Sequence, residues 1–579
     1  MKSLPPDFRA TALAHLAALY GDATAREVIP RLEALLQNHR ASGRATAGCG
    51  ALALSERDVL LITYGDQVRE AGSTPLQTLA RFCEDHLRDV VSGVHILPFY
   101  PFTSDDGFSV TDCFAVDPEL GTWEDVRRLG GSFELMFDAV FNHMSAQSEW
   151  FKRFLAGDPA FRDFFVTVEG NPDLSQVVRP RALPLLTGFN GASGPVKVWT
   201  TFSADQVDVN AKYPEVFLRL LEALLFYVAR GARFIRLDAI AYLWKEIGTP
   251  CIHLPQTHRV IQFMRTVLDA VAPHVLLITE TNVPHVDNVS YFGDGTNEAQ
   301  LVYNFALPPL VLHTLATGNA AHLTRWARTL RLPSDRVTFF NFLASHDGIG
   351  VNPARGILSP VEIDALVARA TAHGGYVSHK HNPDGSKSPY ELNVNYFDAL
   401  SNPAAGEPRG TQVNRFLCAH AIQLALAGVP GIYFHSLFGS RNDRAGAESS
   451  GIPRRINRQK LRRAEIGREL ADSGSLRAQV FGGLKKLLQV RRRHAAFHPN
   501  ASQEILAVGD RVFALRRTAI DGSRRMLCLQ NVANESVTAT VPVSGAWADL
   551  LSDASVNSIG GVLSLTLSPY QVAWLESRA

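Results

Sequence analysis

Cysteine pairs, long apolar runs and an excess of charge of either sign are all missing from this 579-residue chain. Its six cysteines are scattered and form no CxxC pair, which argues against a disulfide framework or a zinc cluster. No apolar run reaches the roughly 18 residues that a membrane-spanning helix needs. The formal net charge is +1, so the bulk charge does not indicate a polyanionic partner. We therefore expect neither nucleic acid nor a membrane as a partner.

The first 56 residues are predicted to form a helical extension. The mostly apolar stretch 10–20 contains His15 and repeats its apolar residues at helical spacing as far as Tyr20. This pattern indicates an amphipathic helix rather than a signal peptide, so we expect a cytoplasmic location. A second helix is predicted from apolar residues on one face, namely Val28, Leu32, Leu35 and Leu36. The Gly/Ala-rich stretch 41–53 is interpreted as a linker.

Eight short apolar runs follow, each ending in polar residues and separated from the next by helical patterns. Continuous Val, Ile, Leu and Phe runs are typical of strands buried on both faces of a parallel sheet. Eight such strands alternating with helices predict a closed (β/α)8 barrel, or TIM barrel. A dinucleotide-binding sheet is less favoured because no GxGxxG motif follows any run. The runs lie at 59–64, 94–100, 133–143, 232–239, 275–282, 301–308, 337–347 and 429–436.

Two connections are too long for simple crossovers and follow strands that end in His and Asp, so we interpret them as inserted subdomains that wall the active site. After about residue 500, alternating strings such as RVFALRR and VTATVPV predict an antiparallel β domain. The predicted division is an extension at 1–56, barrel parts at 57–143, 211–349 and 413–499, insertions at 144–210 and 350–412, and a C-terminal β domain at 500–579.

Active sites of such barrels lie at the carboxyl ends of the strands, and those ends are unusually polar here. Arg236 and Asp238 are two apart on one strand, so both point to the same face, and the arginine favours the ionised carboxylate. Glu280 follows the apolar run VLLIT, where burial raises the pKa of a carboxyl group and suits a proton donor. Two carboxylates in different protonation states are what cleavage of a glycosidic bond requires. The remaining polar ends carry Asp138, Asn142, His143, His346 and Asp347.

Spacing alone leaves two classes of enzyme open. Three carboxylates and two histidines at the ends of four predicted strands favour a hydrolase-type carboxylate mechanism. The alternative is a metal-dependent barrel that uses His143, His346 and Asp347, although neither HxH nor HExxH spacing supports it. Each strand-end carboxylate taken singly is more often a helix cap or an ion-pair partner.

Longer strings resolve this choice through a family resemblance. FDAVFNH (137–143), RFIRLDAIAY (233–242), ITETN (278–282) and FLASHDGIG (342–350) resemble the four signature regions of the α-amylase superfamily. ILPFYPFTSDDGFSVTD, VVRPRALPLLTGF and RRINRQ resemble its sucrose-phosphorylase branch. The resemblance implies a retaining glucosyl transfer through a β-glucosyl-enzyme ester, and the preserved carboxylates argue against a non-catalytic relative.

The resemblance also implies a role for each site residue. Asp238 matches the nucleophile, Glu280 the general acid/base and Asp347 the transition-state stabiliser. The glucose pocket of the family matches Asp105, Phe108, His143, Arg236, His346 and Arg454. The acceptor side matches Arg181, Phe202, Gln206 and Tyr242, and the second insertion adds Tyr390 and Glu391 as substrate-binding candidates facing the pocket. Asn142 stands where many amylases bind calcium, but this branch lacks that ion, so we expect no metal and no cofactor, with phosphate as a substrate.

Three departures from the sucrose enzymes resemble the glucosylglycerate phosphorylases: the N-terminal extension, KEIGTPCIHLPQTH, and HNPDGSKSPYELNVNYFDAL in the second insertion. The implied reaction is reversible phosphorolysis of 2-O-α-D-glucosyl-D-glycerate to α-D-glucose 1-phosphate and D-glycerate. Sucrose, sucrose 6'-phosphate and glucosylglycerol phosphorylases stay open as alternatives, as does an α-glucosidase or transglucosylase. Candidate partners of the glycerate carboxylate are Arg181, Lys380 and Lys387. Small molecules are thus the expected partners, and a homo-oligomer stays open.

Overall fold

A computed structural model describes residues 4–41, 54–382 and 384–578. Residues 42–53 of the predicted linker therefore lie outside the described part of the chain. Before it, the chain forms two helices, α1 (Phe8–Tyr20) and α2 (Asp22–Ala41). Gly21 separates them with a φ of +83°, a conformation that glycine adopts without strain.

The barrel begins after this extension and includes the first long insertion. Its elements in chain order are β1 (Leu60–Thr63), β2 (Val68–Arg69), α3 (Pro75–His86), β3 (Gly93–Ile96), α4 (Trp123–Gly130), β4 (Glu134–Val140), β5 (His143–Ser145), α5 (Glu149–Leu155), β6 (Leu186–Gly191), β7 (Gly194–Trp199), β8 (Gln206–Asp208), α6 (Pro214–Ala229), β9 (Ala232–Asp238), α7 (Pro255–Val271), β10 (Leu276–Thr279) and α8 (His285–Asn288).

The chain continues through the second insertion and closes the barrel. These elements are β11 (Leu301–Tyr303), α9 (Leu307–Thr317), α10 (Ala321–Ala327), β12 (Thr338–Asn341), β13 (Ile349–Gly350), α11 (Pro360–Ala372), β14 (Tyr376–His381), β15 (Lys387–Asn393), α12 (Tyr396–Leu400), α13 (Arg409–Ala425), β16 (Val429–Tyr433), α14 (Arg444–Ser450), β17 (Leu461–Arg462), α15 (Arg463–Ala471) and α16 (Leu476–Arg492).

Eight parallel strands form a closed barrel in the order β1, β3, β4, β9, β10, β11, β12 and β16, with β16 pairing back to β1. Each of the eight predicted apolar runs supplies one of these strands, so the predicted barrel is confirmed. The runs contain few polar residues because the strands are covered on both faces: all four residues of β1 and of β10 are buried. A fully buried leucine or isoleucine side chain contributes about 1.5–3 kcal/mol through the hydrophobic effect.

The two long insertions form small antiparallel sheets above the carboxyl ends of the barrel strands. The first contains the β6–β7 hairpin and the β5–β8 pair, and the second contains β14, β15 and β13. A backbone bridge between Arg179 and His381 joins the two insertions. The Val178 N–H donates to the Pro250 carbonyl at 3.0 Å, which ties the first insertion to the loop after β9. The exact division into subdomains stays a prediction.

The C-terminal region is antiparallel, as its alternating pattern predicted. It comprises β18 (Ser502–Ile505), β19 (Val512–Thr518), β20 (Arg525–Asn531), β21 (Val537–Val541), β22 (Ala546–Asp549), β23 (Ser555–Asn557), β24 (Leu563–Leu567) and β25 (Val572–Arg578). Six of these strands form one sheet, and β21 pairs with β24. A separate apolar core lies between them and includes Val512, Leu527 and Trp547. Among the described residues, no helix has the length and apolar character needed to cross a bilayer.

Candidate active site

One cavity at the carboxyl ends of the barrel strands is lined by all fifteen residues predicted for the site. These are Asp105, Phe108, His143, Arg181, Phe202, Gln206, Arg236, Asp238, Tyr242, Glu280, His346, Asp347, Tyr390, Glu391 and Arg454. Five further residues line it that sequence reasoning did not select, namely Ala239, Ala241, Thr281, Asn282 and Val283. Their signal was proximity alone, because each lies within five residues of Asp238 or Glu280. The cavity therefore brings together residues from six barrel strands or their loops and from both insertions.

Asp238 ends β9 and receives a charged hydrogen bond from the preceding inward-facing residue. Arg236 Nη1 lies 2.7 Å from Asp238 Oδ1, and the same guanidinium is paired with Asp138. Asp138 is in turn 2.7 Å from His95 Nε2, so Arg236 is held from both sides in a fully buried network. The period of two along a strand explains why Arg236 and Asp238 meet. This arrangement presents a carboxylate oxygen to the cavity in a fixed orientation.

Glu280 follows β10, the neighbouring strand, and points into the same cavity. Its Oε2 accepts a hydrogen bond from the Ala239 N–H at 3.0 Å and lies 3.8 Å from Arg236 Nη2. Ala239 has a φ of +48°, which is a strained conformation for a residue with a Cβ atom. Ala239, which immediately follows the candidate nucleophile Asp238, thus directs its N–H at the Glu280 carboxylate. The two carboxylates therefore share Arg236 and the turn between them.

Burial governs the protonation of this carboxylate pair. It raises the pKa of Glu280 to about 7, and repulsion from Asp238 and Asp347 adds to the rise. It also raises the pKa of Asp238 to about 6, even though Arg236 opposes the change. Arg236 favours the ionised carboxylate, as the sequence indicated, but the loss of hydration outweighs the ion pair and the pKa is raised overall. Arg236 lies closer to Asp238 than to Glu280, at 2.7 Å against 3.8 Å, which favours the negative charge on Asp238 over that on Glu280.

Asp347 follows β12 and lies among cations. Arg454 Nη1 is 2.7 Å from its Oδ1, and Arg458 Nη2 is 3.9 Å from the same oxygen. Burial disfavours its charge, but these guanidinium groups together outweigh burial and hold the pKa of Asp347 below its usual range. The adjacent His346 is kept neutral, since burial lowers its pKa well below the ordinary value. Asp347 is thus a permanent anion at the pH where the other two carboxyls titrate.

The side of the cavity predicted to hold glucose is lined by rings and short polar groups. The His346 and Phe108 rings stack with centroids 4.6 Å apart. His143 Nε2 lies 2.8 Å from the Phe108 carbonyl, and Gln206 Nε2 donates to that carbonyl at 3.2 Å and to Asp105 Oδ2 at 3.4 Å. Gln206 was predicted on the acceptor side; its amide nitrogen bonds to residues of this side, while its Oε1 accepts a hydrogen bond from Ser203, the neighbour of Phe202, at 2.8 Å. An apolar plate beside hydrogen-bonding edges suits a pyranose ring.

The opposite side of the cavity is formed by both insertions and the loop after β9. Phe202 and Tyr242 meet edge to face with centroids 5.6 Å apart. Glu391, which is buried, accepts two hydrogen bonds from Arg454, at 3.0 Å from Nε and 2.9 Å from Nη2. Arg181 Nη1 is 3.8 Å from Glu391 Oε2, so it shares an anion that Arg454 already pairs. The positive charge of Arg181 is therefore only partly neutralised.

Of the three cations considered for a substrate carboxylate, Arg181 is the one that lines this cavity. Lys380 Nζ instead donates to Asn352 Oδ1 at 3.2 Å, and Lys387 is exposed on β15. The alternatives Lys380 and Lys387 are therefore placed away from the reacting groups. Sequence reasoning did not separate the three cations. Successive side chains of a hairpin point to opposite faces, and the sequence alone did not show which face is turned to the cavity.

The position expected for calcium in many amylases contains a lysine. Lys245 Nζ is 2.7 Å from Asn142 Oδ1 and 2.5 Å from Asp208 Oδ2, and all three residues are buried. The ammonium group thus neutralises Asp208 and uses the oxygens that a hard cation would bind. Among the described residues, no group of three or more His, Cys, Asp or Glu side chains is arranged to hold a metal.

Comparison with known proteins identifies the family. Residues 85–348 match the α-amylase family, described as the alpha amylase catalytic domain. The chain is 53% identical over 576 residues to glucosylglycerate phosphorylase from Allomeiothermus silvanus, which covers 99% of this chain and 100% of that protein. The chain belongs to the glycoside phosphorylases of the α-amylase superfamily. Glucosylglycerate phosphorylase from Spirochaeta thermophila is 49% identical, with 97% of each chain covered.

A solved phosphorylase supports the same placement. The crystal structure of sucrose 6F-phosphate phosphorylase from Thermoanaerobacter thermosaccharolyticum matches with a TM-score of 0.73 and 26% identity, covering 84% of this chain and 96% of that one. The barrel is therefore that of a glucosyl-transferring enzyme that acts on small molecules. Phosphorylases of this family use inorganic phosphate as a substrate and need no cofactor.

Proposed function

We propose that the chain catalyses the reversible phosphorolysis of 2-O-α-D-glucosyl-D-glycerate, giving α-D-glucose 1-phosphate and D-glycerate through a β-glucosyl-enzyme. The observation that carries this proposal is the sequence identity of 53% and 49%, over nearly the full length of the chain, with two proteins named glucosylglycerate phosphorylase. The cavity supports it independently, because two carboxyls with raised pKa values and a partly neutralised arginine line the same cavity.

In the first half-reaction, an oxygen of Asp238 attacks C1 of the glucosyl group. Glu280 donates its proton to the glycosidic oxygen, so the C1–O bond to glycerate breaks and the acid leaves with its hydroxyl restored. Asp347 is charged throughout and accepts hydrogen bonds from glucose hydroxyls, which strengthen as positive charge develops at C1. Two carboxyls that react in this way are about 5–5.5 Å apart in retaining enzymes.

In the second half-reaction, phosphate takes the place of glycerate. Glu280, now ionised, accepts a proton from the phosphate, whose oxygen attacks C1 and displaces the Asp238 carboxylate. Two inversions at C1 give net retention, so the product is the α-anomer of glucose 1-phosphate. Each carboxyl returns to its starting protonation state, and no atom is left over.

Glycerate and phosphate are both small anions that occupy the acceptor side in turn. Arg181 supplies the charge for both, because its partner Glu391 is already saturated by Arg454. A neutral acceptor such as glycerol leaves this charge without a ligand. Losing a charged hydrogen bond costs about 1.5–3 kcal/mol, which corresponds to roughly ten- to a hundredfold in specificity.

The test is synthesis from glucose 1-phosphate with D-glycerate, glycerol, fructose and fructose 6-phosphate offered separately. We expect D-glycerate to give the highest kcat/KM. A higher value for glycerol or for a fructose compound would refute the substrate while leaving the phosphorylase class intact. Arg181→Gln is the matched variant: it should raise the KM for D-glycerate and for phosphate, and leave fluoride release from α-D-glucosyl fluoride, whose leaving group does not need the arginine, near the wild-type rate.

A further inference from the structure

Tyr20, the last residue of α1, reaches from the N-terminal extension to the segments that carry the acceptor side of the cavity. Its hydroxyl donates to the Ala211 carbonyl at 2.9 Å. Its ring lies 6.2 Å from the Trp244 ring and 6.3 Å from the Phe217 ring, both tilted. Burial raises the pKa of the Tyr20 phenol, in keeping with a contact that excludes water.

The contact with Trp244 leads directly to the acceptor side. Trp244 follows Tyr242 by two residues, and Tyr242 lines the cavity against Phe202. Trp244 is 4% exposed, and among the described residues its indole N–H has no hydrogen-bond partner. Packing against neighbouring rings, rather than a hydrogen bond, therefore holds it in place.

The contact with Ala211 leads to the same side by a second route. Ala211 lies three residues after β8, the strand that begins at the cavity residue Gln206 and ends at Asp208. Asp208 Oδ1 accepts the Thr201 N–H at 2.9 Å and so fixes the backbone immediately before Phe202. One side chain therefore contacts Trp244, two residues after Tyr242, and Ala211, three residues after the strand whose Asp208 holds the segment before Phe202.

The base that carries Tyr20 is anchored on the barrel helices. His15 on α1 stacks on Phe263 of α7, with centroids 5.4 Å apart, and its Nε2 lies 3.2 Å from Thr266 Oγ1. On α2, Arg31 pairs with Glu215 of α6, and the Arg40 guanidinium donates to the Ala270 carbonyl at 2.9 Å. These two barrel helices precede and follow β9 in the chain. The helix that carries Tyr20 is therefore anchored beside the strand that ends in Asp238.

We propose that Tyr20 is a positioning residue of the acceptor subsite and that the N-terminal helices serve to hold it there. Its contacts reach the supports of Tyr242 and Phe202, whereas none of them is to Asp347, Arg454 or Phe108. Its loss should therefore disturb the binding of the acceptor more than the formation of the glucosyl-enzyme. The inference rests on the proposed phosphorylase reaction, and it does not depend on whether D-glycerate is the acceptor that exchanges with phosphate.

The experiment compares Tyr20→Ala with His15→Ala in the full chain. Each variant removes one ring and one hydrogen bond from α1, but only Tyr20 contacts Trp244 and Ala211. α-D-Glucosyl fluoride is the donor, because its fluoride leaving group does not need the subsite that binds phosphate. Arsenate serves as the phosphate analogue: it attacks the glucosyl-enzyme and displaces Asp238, and the resulting glucose 1-arsenate hydrolyses to glucose and arsenate. For Tyr20→Ala we expect the KM for arsenate to rise on the order of tenfold, since a misplacement of about 1 Å costs up to about a hundredfold. The single-turnover rate of fluoride release without arsenate, which reports the donor half-reaction, should fall by a much smaller factor than the KM for arsenate rises.

The control and the conservative variant make the result decisive. His15→Ala should lower thermal stability to a similar extent but leave the KM for arsenate unchanged. Tyr20→Phe retains the ring and should give a smaller rise, and it carries the test if Tyr20→Ala does not fold. The inference is overturned if the KM for arsenate is unchanged in both Tyr20 variants, if His15→Ala raises it equally, or if fluoride release falls by the same factor. Because arsenate replaces phosphate, none of these outcomes depends on whether D-glycerate is the natural acceptor.

Discussion

Replacing Lys245 with methionine tests the view that an ammonium group takes the place of a metal in this barrel. Methionine retains most of the volume of the side chain but removes its charge. Asp208 would then be a fully buried carboxylate whose remaining donors are the neutral groups of Thr201 and Asn142. Breaking a buried ion pair by removing one partner costs about 3–5 kcal/mol. Folded proteins have only about 5–15 kcal/mol in total, so the loss should be obvious.

The assay is urea denaturation followed by fluorescence for wild type, Lys245→Met, Asp208→Asn and the double variant. We expect the double variant to be more stable than Lys245→Met, because it carries no unpaired buried charge. Lys245→Ala, which leaves space, should gain thermal stability from millimolar calcium, since two oxygen ligands stay in place and calcium prefers oxygen. Wild type should show no such gain. A Lys245→Met variant as stable as wild type, or a double variant no better than the single one, would refute the reasoning.

Three further predictions concern the chemistry. The rate of glucosyl-enzyme formation should peak between pH 6 and 7. It should fall below about pH 6 as Asp238 is protonated and above about pH 7 as Glu280 loses its proton. Glu280→Gln should abolish the alkaline limb, and a wild-type profile flat from pH 5 to 9 would contradict this. Asp238→Asn should lower turnover by at least about a thousandfold, because an amide does not attack C1; a wild-type rate in burst kinetics would assign the nucleophile elsewhere. Dialysis against a chelator should leave activity unchanged, and a loss that calcium restores would show that the site of Lys245 is not self-sufficient.

The barrel was predictable because its strands are short, apolar and bounded by polar residues, and this pattern arises directly from burial on both faces. The positions of the three carboxylates proposed for catalysis were predictable for a related reason: a polar residue directly after an apolar strand lies at the mouth of the barrel. Asp238, Glu280 and Asp347 all follow such runs, and all three line the cavity. Apolar runs therefore located the strands and the polar strand ends that line the cavity, whereas the role of each residue came from the family resemblance and stays a prediction.

Other features depend on distances that no local pattern encodes. Lys245 meets Asp208 and Asn142 from a separate segment of the chain, and nothing in the string WKE indicates this contact. The pKa of Asp238 required the depth of burial as well as the neighbouring arginine. Gln206 faces Asp105 and Phe108 because of how β8 pairs with β5, a register that is set by the fold of the first insertion. Each of these properties belongs to the assembled cavity and not to a segment.

Arg454 has a consequence for efforts to redesign this enzyme. Its guanidinium group contacts Asp347 on the glucose side and Glu391 on the acceptor side, so one side chain belongs to both halves of the cavity. Substituting Glu391 to admit a new acceptor would also change the electrostatic surroundings of Asp347. We therefore expect such a substitution to slow glucosyl transfer as well as to alter the choice of acceptor. Libraries aimed at new acceptors should therefore keep the Glu391–Arg454 pair fixed and vary Tyr390 and Asn282, which line the cavity without contacting Arg454 through a hydrogen bond or an ion pair.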